Sequence, residues 1–197
     1  MHYARTVIAY HGCSTERAEF ILRTGQFRDS ENSYDWLGKG VYFWEYGLDR
    51  AWRWAKETTL ERGKQPAVVG ALIQLGNCFD LMDTRATQEL ASWGQVFADA
   101  MKEAGVALPR NGGTLPDFKM RHLDCAIINY ALERLRQKGT VYQTVRCGFT
   151  EGPPIFCDGD NECGIRMESH IQLVVRDHTC IVGVFRPREL LTEDQDL

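Results

Sequence analysis

Apolar residues cluster in short β-rich runs at both ends of the chain and at helical spacing between them. Thr6-Val7-Ile8-Ala9-Tyr10 reads as a strand that ends at His11-Gly12. Ser14 or Thr15 can cap a short helix over 16–24, where Ala18, Phe20, Ile21 and Leu22 give an apolar side and Gly25 fits the C′ position. Residues 28–34 are polar and turn-rich, which predicts a loop before a strand that starts at Gly38-Lys39-Gly40. Residues 48–62 are expected to be helical. Residues 67–75 form a nearly continuous apolar run, predicted as a strand closed by Gly76-Asn77. Two more helices are expected over 86–104 and 115–138, joined by a Gly-rich link at 110–114. Then come a strand over 140–149, a surface loop over 151–166, and strands over 169–175 and 179–185. Strands at both ends with helices between predict a mixed α+β domain, with the middle helices (about 85–138) as an insertion.

Composition narrows this picture only a little. At 197 residues, the simplest expectation is a single domain spanning 1–197 with a substantial core. No apolar run approaches the ~18 residues that a membrane-spanning helix needs, and the first residues lack a signal-peptide layout. Seven cysteines, none in a CxxC pair, are expected to be reduced thiols of a cytoplasmic protein. A net charge of −4 argues against strong non-specific nucleic-acid binding. It leaves room for a local basic rim.

The candidate chemistry sits where the strands begin and end. A lone histidine such as His11 is ordinarily a structural residue, but Gly12 beside it permits a close approach to the backbone. The run Gly38-Lys39-Gly40-Val41-Tyr42-Phe43 offers an aromatic on a glycine-flanked strand, suited to a planar cationic ring. Together, Ala9-Tyr10-His11-Gly12-Cys13 and Trp36-Leu37-Gly38-Lys39-Gly40-Val41-Tyr42-Phe43 resemble the nicotinamide-binding core of the PARP and diphtheria-toxin-like ADP-ribosyltransferases. That resemblance implies a split mixed β-sheet core, NAD as substrate and no metal. It also implies roles: His11 on the ribose, Gly12 at the carboxamide and Tyr42 lining or stacking on the nicotinamide, with Cys13 and Gly40 among the NAD-binding residues. A second stacking aromatic would come from the following helix, where Trp52 and Trp54 are available and Trp54 is the one assigned.

The third element of the resemblance is Ser169-His170-Ile171-Gln172-Leu173-Val174-Val175-Arg176-Asp177, followed by Ile181. It aligns Gln172 with the family's catalytic glutamate. A glutamine can hold a ribose hydroxyl but supplies no negative charge to an oxocarbenium-like transition state. Either another carboxylate assists, with Glu168, Glu151, Asp35 and Glu45 as candidates, or the domain binds NAD without turning it over. Alternation on a strand places His170 on the same face as Gln172, as a candidate acceptor contact or general base. The implied function is transfer of ADP-ribose from NAD to a protein or nucleic acid, with nicotinamide released. Small members of this kind act as toxins or in phage defence, often beside an antitoxin. NAD glycohydrolysis and a silent NAD-binding module are the alternatives. Asp158-Gly159-Asp160-Asn161-Glu162 does not keep calcium-loop spacing, and the histidines do not keep zinc-ligand spacing.

Overall fold

The computed structural model describes residues 2–113 and 119–188. Its strands and helices are a 13-residue β1 (His2–Ser14), α1 (Thr15–Thr24), β2 (Val41–Glu45), α2 (Leu48–Thr59), β3 (Pro66–Asp80), α3 (Thr84–Glu103) and α4 (His122–Gln137). After these come β4 (Thr144–Phe149), a small hairpin of β5 (Cys157–Asp158) and β6 (Asn161–Glu162), β7 (His170–Val175) and β8 (Ile181–Phe185). The protein is a mixed α+β structure with a six-stranded mixed sheet. β1 pairs with β2 and β3, β2 with β7, β7 with β4, and β4 with β3, so the pairings close a circuit of five strands. β8 pairs with β3. Among the described residues, only the β3–β4 pairing is parallel.

Local chemistry explains most of these elements. Ser14 caps α1, its hydroxyl accepting from the Arg17 N–H, and Gly25 closes the helix in the left-handed conformation. Of the two capping residues offered by the sequence, the first is used. Alternation sorts the strands into two faces. Val7, Ala9 and Cys13 of β1, Val41 and Phe43 of β2, and Leu173 and Val175 of β7 bury against α1 and β3 in one core. On the other face, Trp44 packs with Ala51 of α2 and Val68 of β3. Val174 packs there with Leu37, Phe79, Val145 and the α4 residues Ile128 and Leu132.

Several boundaries differ from the sequence expectation. β1 does not end at His11-Gly12 but runs on to Ser14, with His11 opposite Val69 and Gly12 opposite Val68 of β3, so His11 sits within the strand and not at its end. β3 does not stop at Gly76-Asn77 but continues to Asp80, because Cys78–Asp80 pair with Thr144–Arg146 of β4. Gly76 adopts a positive φ of 60°, and the inward-facing positions change phase across it, from Leu75 to Cys78. α4 begins at His122, and the expected earlier start falls in 114–118, outside the described residues. β4 begins at Thr144 rather than 140.

The mid-chain helices carry no motif, yet α4 has a clear mechanical role. Its Asn129 Oδ1 accepts from the Lys39 N–H, and Ile128 and Leu132 pack on Leu37. α4 thereby holds the segment before β2 against the sheet.

Candidate functional site

The site is made by a local failure of strand pairing. β1 and β2 pair only at Ala9 with Glu45 and Tyr10 with Trp44, and then separate. Where the ladder stops, the His11 ring takes over, with Nδ1 2.9 Å from the Tyr42 carbonyl oxygen. A carbonyl can only accept, so Nδ1 carries the proton and Nε2 is left as a lone-pair acceptor. The ring is held edge-on by Phe27 and tilted against Phe43. Burial lowers the His11 pKa, which keeps the imidazole neutral.

Beside this gap lies a cavity of about 440 Å³, within the range of small-molecule sites. Its wall contains His11, Gly12, Gly40, Tyr42, Trp54, Asp35, Glu151, His170 and Gln172. These are most of the residues singled out from the sequence, drawn from β1, β2, α2, β7 and two loops. Cys13 is not among them: it lies in the core with burial raising its thiol pKa to about 11. Glu168 is also outside the wall, with a long ion pair to Arg53 at 3.5 Å. Glu45 lies away from the cavity, buried between Arg146 and Arg5.

The glycines are close-approach positions, and what approaches them is the protein itself. A Cβ on Gly12 would come within 2.3 Å of the Ala51 carbonyl oxygen of α2. One on Gly40 would come within 2.6 Å of the Val175 oxygen, and Gly40 has a φ of 146°. One on Gly38 would meet Asn129 Oδ1 at 2.6 Å. The Tyr42 hydroxyl donates to the Gly38 carbonyl and accepts from the Leu37 N–H, which pins the same turn. Tyr42 therefore anchors the loop while its ring lines the cavity.

Strand register sets the opposite wall. Gln172 lies across from Trp44 of β2, and His170 across from Phe149 of β4. His170 and Gln172 both line the cavity, as strand alternation requires. The Trp36 indole N–H donates to Gln172 Oε1, so the Gln172 amide NH₂ is the end left for a ligand. The His170 Nδ1 lies 2.7 Å from the Glu168 carbonyl oxygen and so is protonated, leaving Nε2 bare. Burial lowers the pKa of His170 as well.

Glu151 is 3% exposed despite its place at the start of an otherwise exposed loop. Arg50 of α2 grips it through Nε and Nη2, and Lys119 Nζ lies 3.0 Å from its other side. These hydrogen bonds outweigh burial and hold its carboxyl below the usual carboxylate range. Its charge is thus present but offset by two cations. Asp35 bonds the Asn32 backbone N–H in a local turn.

Sequence reasoning missed Trp36, Trp44, Phe149, Arg50 and Lys119, which also line the cavity. Trp44 was findable, because it lies two residues after Tyr42 on the same strand face. Of the two α2 tryptophans, Trp54 reaches the cavity and Trp52 packs in the core under Lys56.

No family model, curated protein or solved structure matches this chain. The site has to be read from its own chemistry. Among the described residues, no group of three or more His, Cys, Asp or Glu side chains could hold a metal ion, and no helix is long and apolar enough to cross a membrane.

Proposed function

We propose that this chain is an NAD-dependent mono-ADP-ribosyltransferase built on an ADP-ribosyltransferase-like split sheet. One observation carries the reading. A single aromatic-walled cavity at the β1–β2 split gathers His11, Tyr42 and Gln172, the three positions picked from separate stretches of sequence. The nicotinamide ring stacks on Tyr42, with Trp54 as the second aromatic. His11 Nε2 accepts from a ribose hydroxyl, and the Gln172 amide donates to one. The glycosidic bond between the ribose C1′ and the nicotinamide nitrogen breaks, and nicotinamide leaves with the bonding electrons. An acceptor nucleophile then bonds to C1′, and its proton passes to the bare Nε2 of His170. The acceptor is a protein or nucleic acid, and the setting is a cytoplasmic toxin or defence effector, with an antitoxin as a fitting regulator.

A second reading, a silent NAD-binding module, is favoured by the charge in the wall. Position 172 carries no charge, and Glu151 is offset by Arg50 and Lys119. An oxocarbenium ion there would meet little negative potential. Nicotinamide release from NAD separates the readings, measured with and without cell lysate. Release that depends on lysate and labels a macromolecule supports a transferase, whereas release without an acceptor supports a glycohydrolase. Binding with no release leaves the silent module. Absence of both binding and release contradicts the NAD reading.

A further inference from the structure

The corner of the cavity formed by Trp44, Arg50, Glu151 and Lys119 contains two donors with no acceptor. Trp44 Nε1 and Arg50 Nη1 are buried and unpartnered among the described residues. Trp44 is 3% exposed and the Arg50 side chain 10%. The Arg50 guanidinium lies over the Trp44 ring, 5.8 Å from its centroid, so the two orphan donors belong to one packed unit. Their neighbours are satisfied. Arg50 spends Nε and Nη2 on Glu151, Lys119 pairs with the same carboxylate, and His170 Nδ1 bonds a backbone carbonyl. Buried N–H groups are almost always paired, so two orphans on adjoining residues of a cavity wall ask for an acceptor that comes with a ligand.

The charge at this corner selects the kind of acceptor. Within the ion-paired group of Arg50, Glu151 and Lys119, two cations share one carboxylate, which leaves one net positive charge in direct contact with the cavity, with Glu57 acting on Lys119 as well. A neutral carbonyl would use the donors but not the charge. A phosphodiester or one unit of a diphosphate brings one negative charge and several acceptor oxygens, and Arg guanidinium suits that geometry.

The geometry points to a phosphate subsite in which Trp44 Nε1–H and Arg50 Nη1–H, with Lys119 beside them, take the oxygens of a singly charged phosphodiester or diphosphate unit. The phosphate has two possible sources. One is the diphosphate of the dinucleotide, which rests on the NAD reading above. The other is the backbone of a nucleic-acid strand, which does not.

Calorimetric titration of the full chain with ADP-ribose, nicotinamide riboside and a short single-stranded oligodeoxynucleotide tests this. Trp44→Phe keeps the ring and removes the orphan donor, and should weaken binding of the phosphate-bearing probe about tenfold. Nicotinamide riboside, which has no phosphate, should bind Trp44→Phe as it binds the parent. Lys119→Gln, at a half-exposed position, gives a second variant should Trp44→Phe fail to fold, and should weaken the same probe severalfold. Selective loss of ADP-ribose assigns the subsite to the dinucleotide, and selective loss of the oligonucleotide assigns it to a nucleic acid. If neither ADP-ribose nor nicotinamide riboside binds but the oligonucleotide does, in a Trp44-dependent way, the NAD reading falls and the subsite stands. The proposal is overturned if no phosphate probe binds, if both variants bind like the parent, or if nicotinamide riboside loses as much affinity as ADP-ribose.

Discussion

Two buried arginine–glutamate pairs lie in this protein, almost equally shielded and very differently finished. Arg146 of β4 meets Glu45 of β2 through Nε at 2.6 Å and Nη2 at 3.1 Å, and its Nη1 reaches Asp80 of β3 at 3.3 Å. The side chains are 9% and 1% exposed. Arg50 and Glu151 are 10% and 3% exposed, with the same two-nitrogen grip, but Arg50 Nη1 has no partner. The first pair ties three strands of the circuit and leaves no guanidinium nitrogen of Arg146 without a partner. The second joins a helix to a loop at a cavity wall and keeps one donor in reserve. A fold is best served by complete pairing, and a site by pairing that stops one bond short.

Breaking the complete pair should do the most damage. Arg146→Met leaves the buried Glu45 carboxylate with only the half-exposed Arg5 and takes the Arg146 guanidinium from Asp80, and should cost about 3–5 kcal/mol, which corresponds to a fall in melting temperature on the order of 10 °C. Glu151→Gln should cost clearly less, about 1–2 kcal/mol, because Lys119 is half-exposed and Arg50 can turn towards the cavity. Thermal melts of the two variants check the contrast directly. Equal losses would mean that the Arg50–Glu151 pair is merely another structural tie.

Gln172→Glu sharpens the functional side. The Trp36 N–H that now meets the Gln172 oxygen would serve a carboxylate oxygen equally well, so the substitution should fold. It should raise the rate of nicotinamide release roughly tenfold or more by restoring charge stabilisation. An unchanged rate would mean that position 172 does not face the developing charge.

The smallest effect is a pH dependence. His11 and His170 both have pKa values lowered by burial from 6.5. The unfolded chain therefore takes up protons first as pH falls below about 6.5, and stability contributed by the two neutral rings is lost from there downward. Above that value the histidine contribution should be flat. Chemical denaturation across pH 5–8 reads this, and a loss of stability on raising the pH through 6.5 would contradict the buried neutral tautomers.

Periodicity and glycine placement made much of this molecule legible in advance. The α+β order, the cap and C′ residues of α1, and the shared face of His170 and Gln172 all follow from spacing alone. Glycine signalled close approach at position 12, but no local rule says whether a ligand or the chain's own backbone approaches. The same limit hid the continuation of β3. Gly76-Asn77 has the composition of a turn, and long-range pairing, of Gly76 and Asn77 with β1 and of Cys78–Asp80 with β4, keeps that stretch a strand. Glu151 was expected in a surface loop, and its burial depends on Arg50, which arrives from α2. The lone histidine gave the opposite lesson. His11 is structural in the bond it makes to Tyr42, and that bond is what frees its other nitrogen.

The central claim is that NAD enters the cavity at the β1–β2 split, and the protein carries its own reporter. Trp36, Trp44 and Trp54 line the cavity, whereas Trp52 and Trp93 do not. Titration of NAD against intrinsic tryptophan fluorescence should give a saturable change, weakened about tenfold or more in Tyr42→Ala through lost stacking. Fluorescence that does not respond to NAD, or a response that Tyr42→Ala leaves intact, would contradict the account.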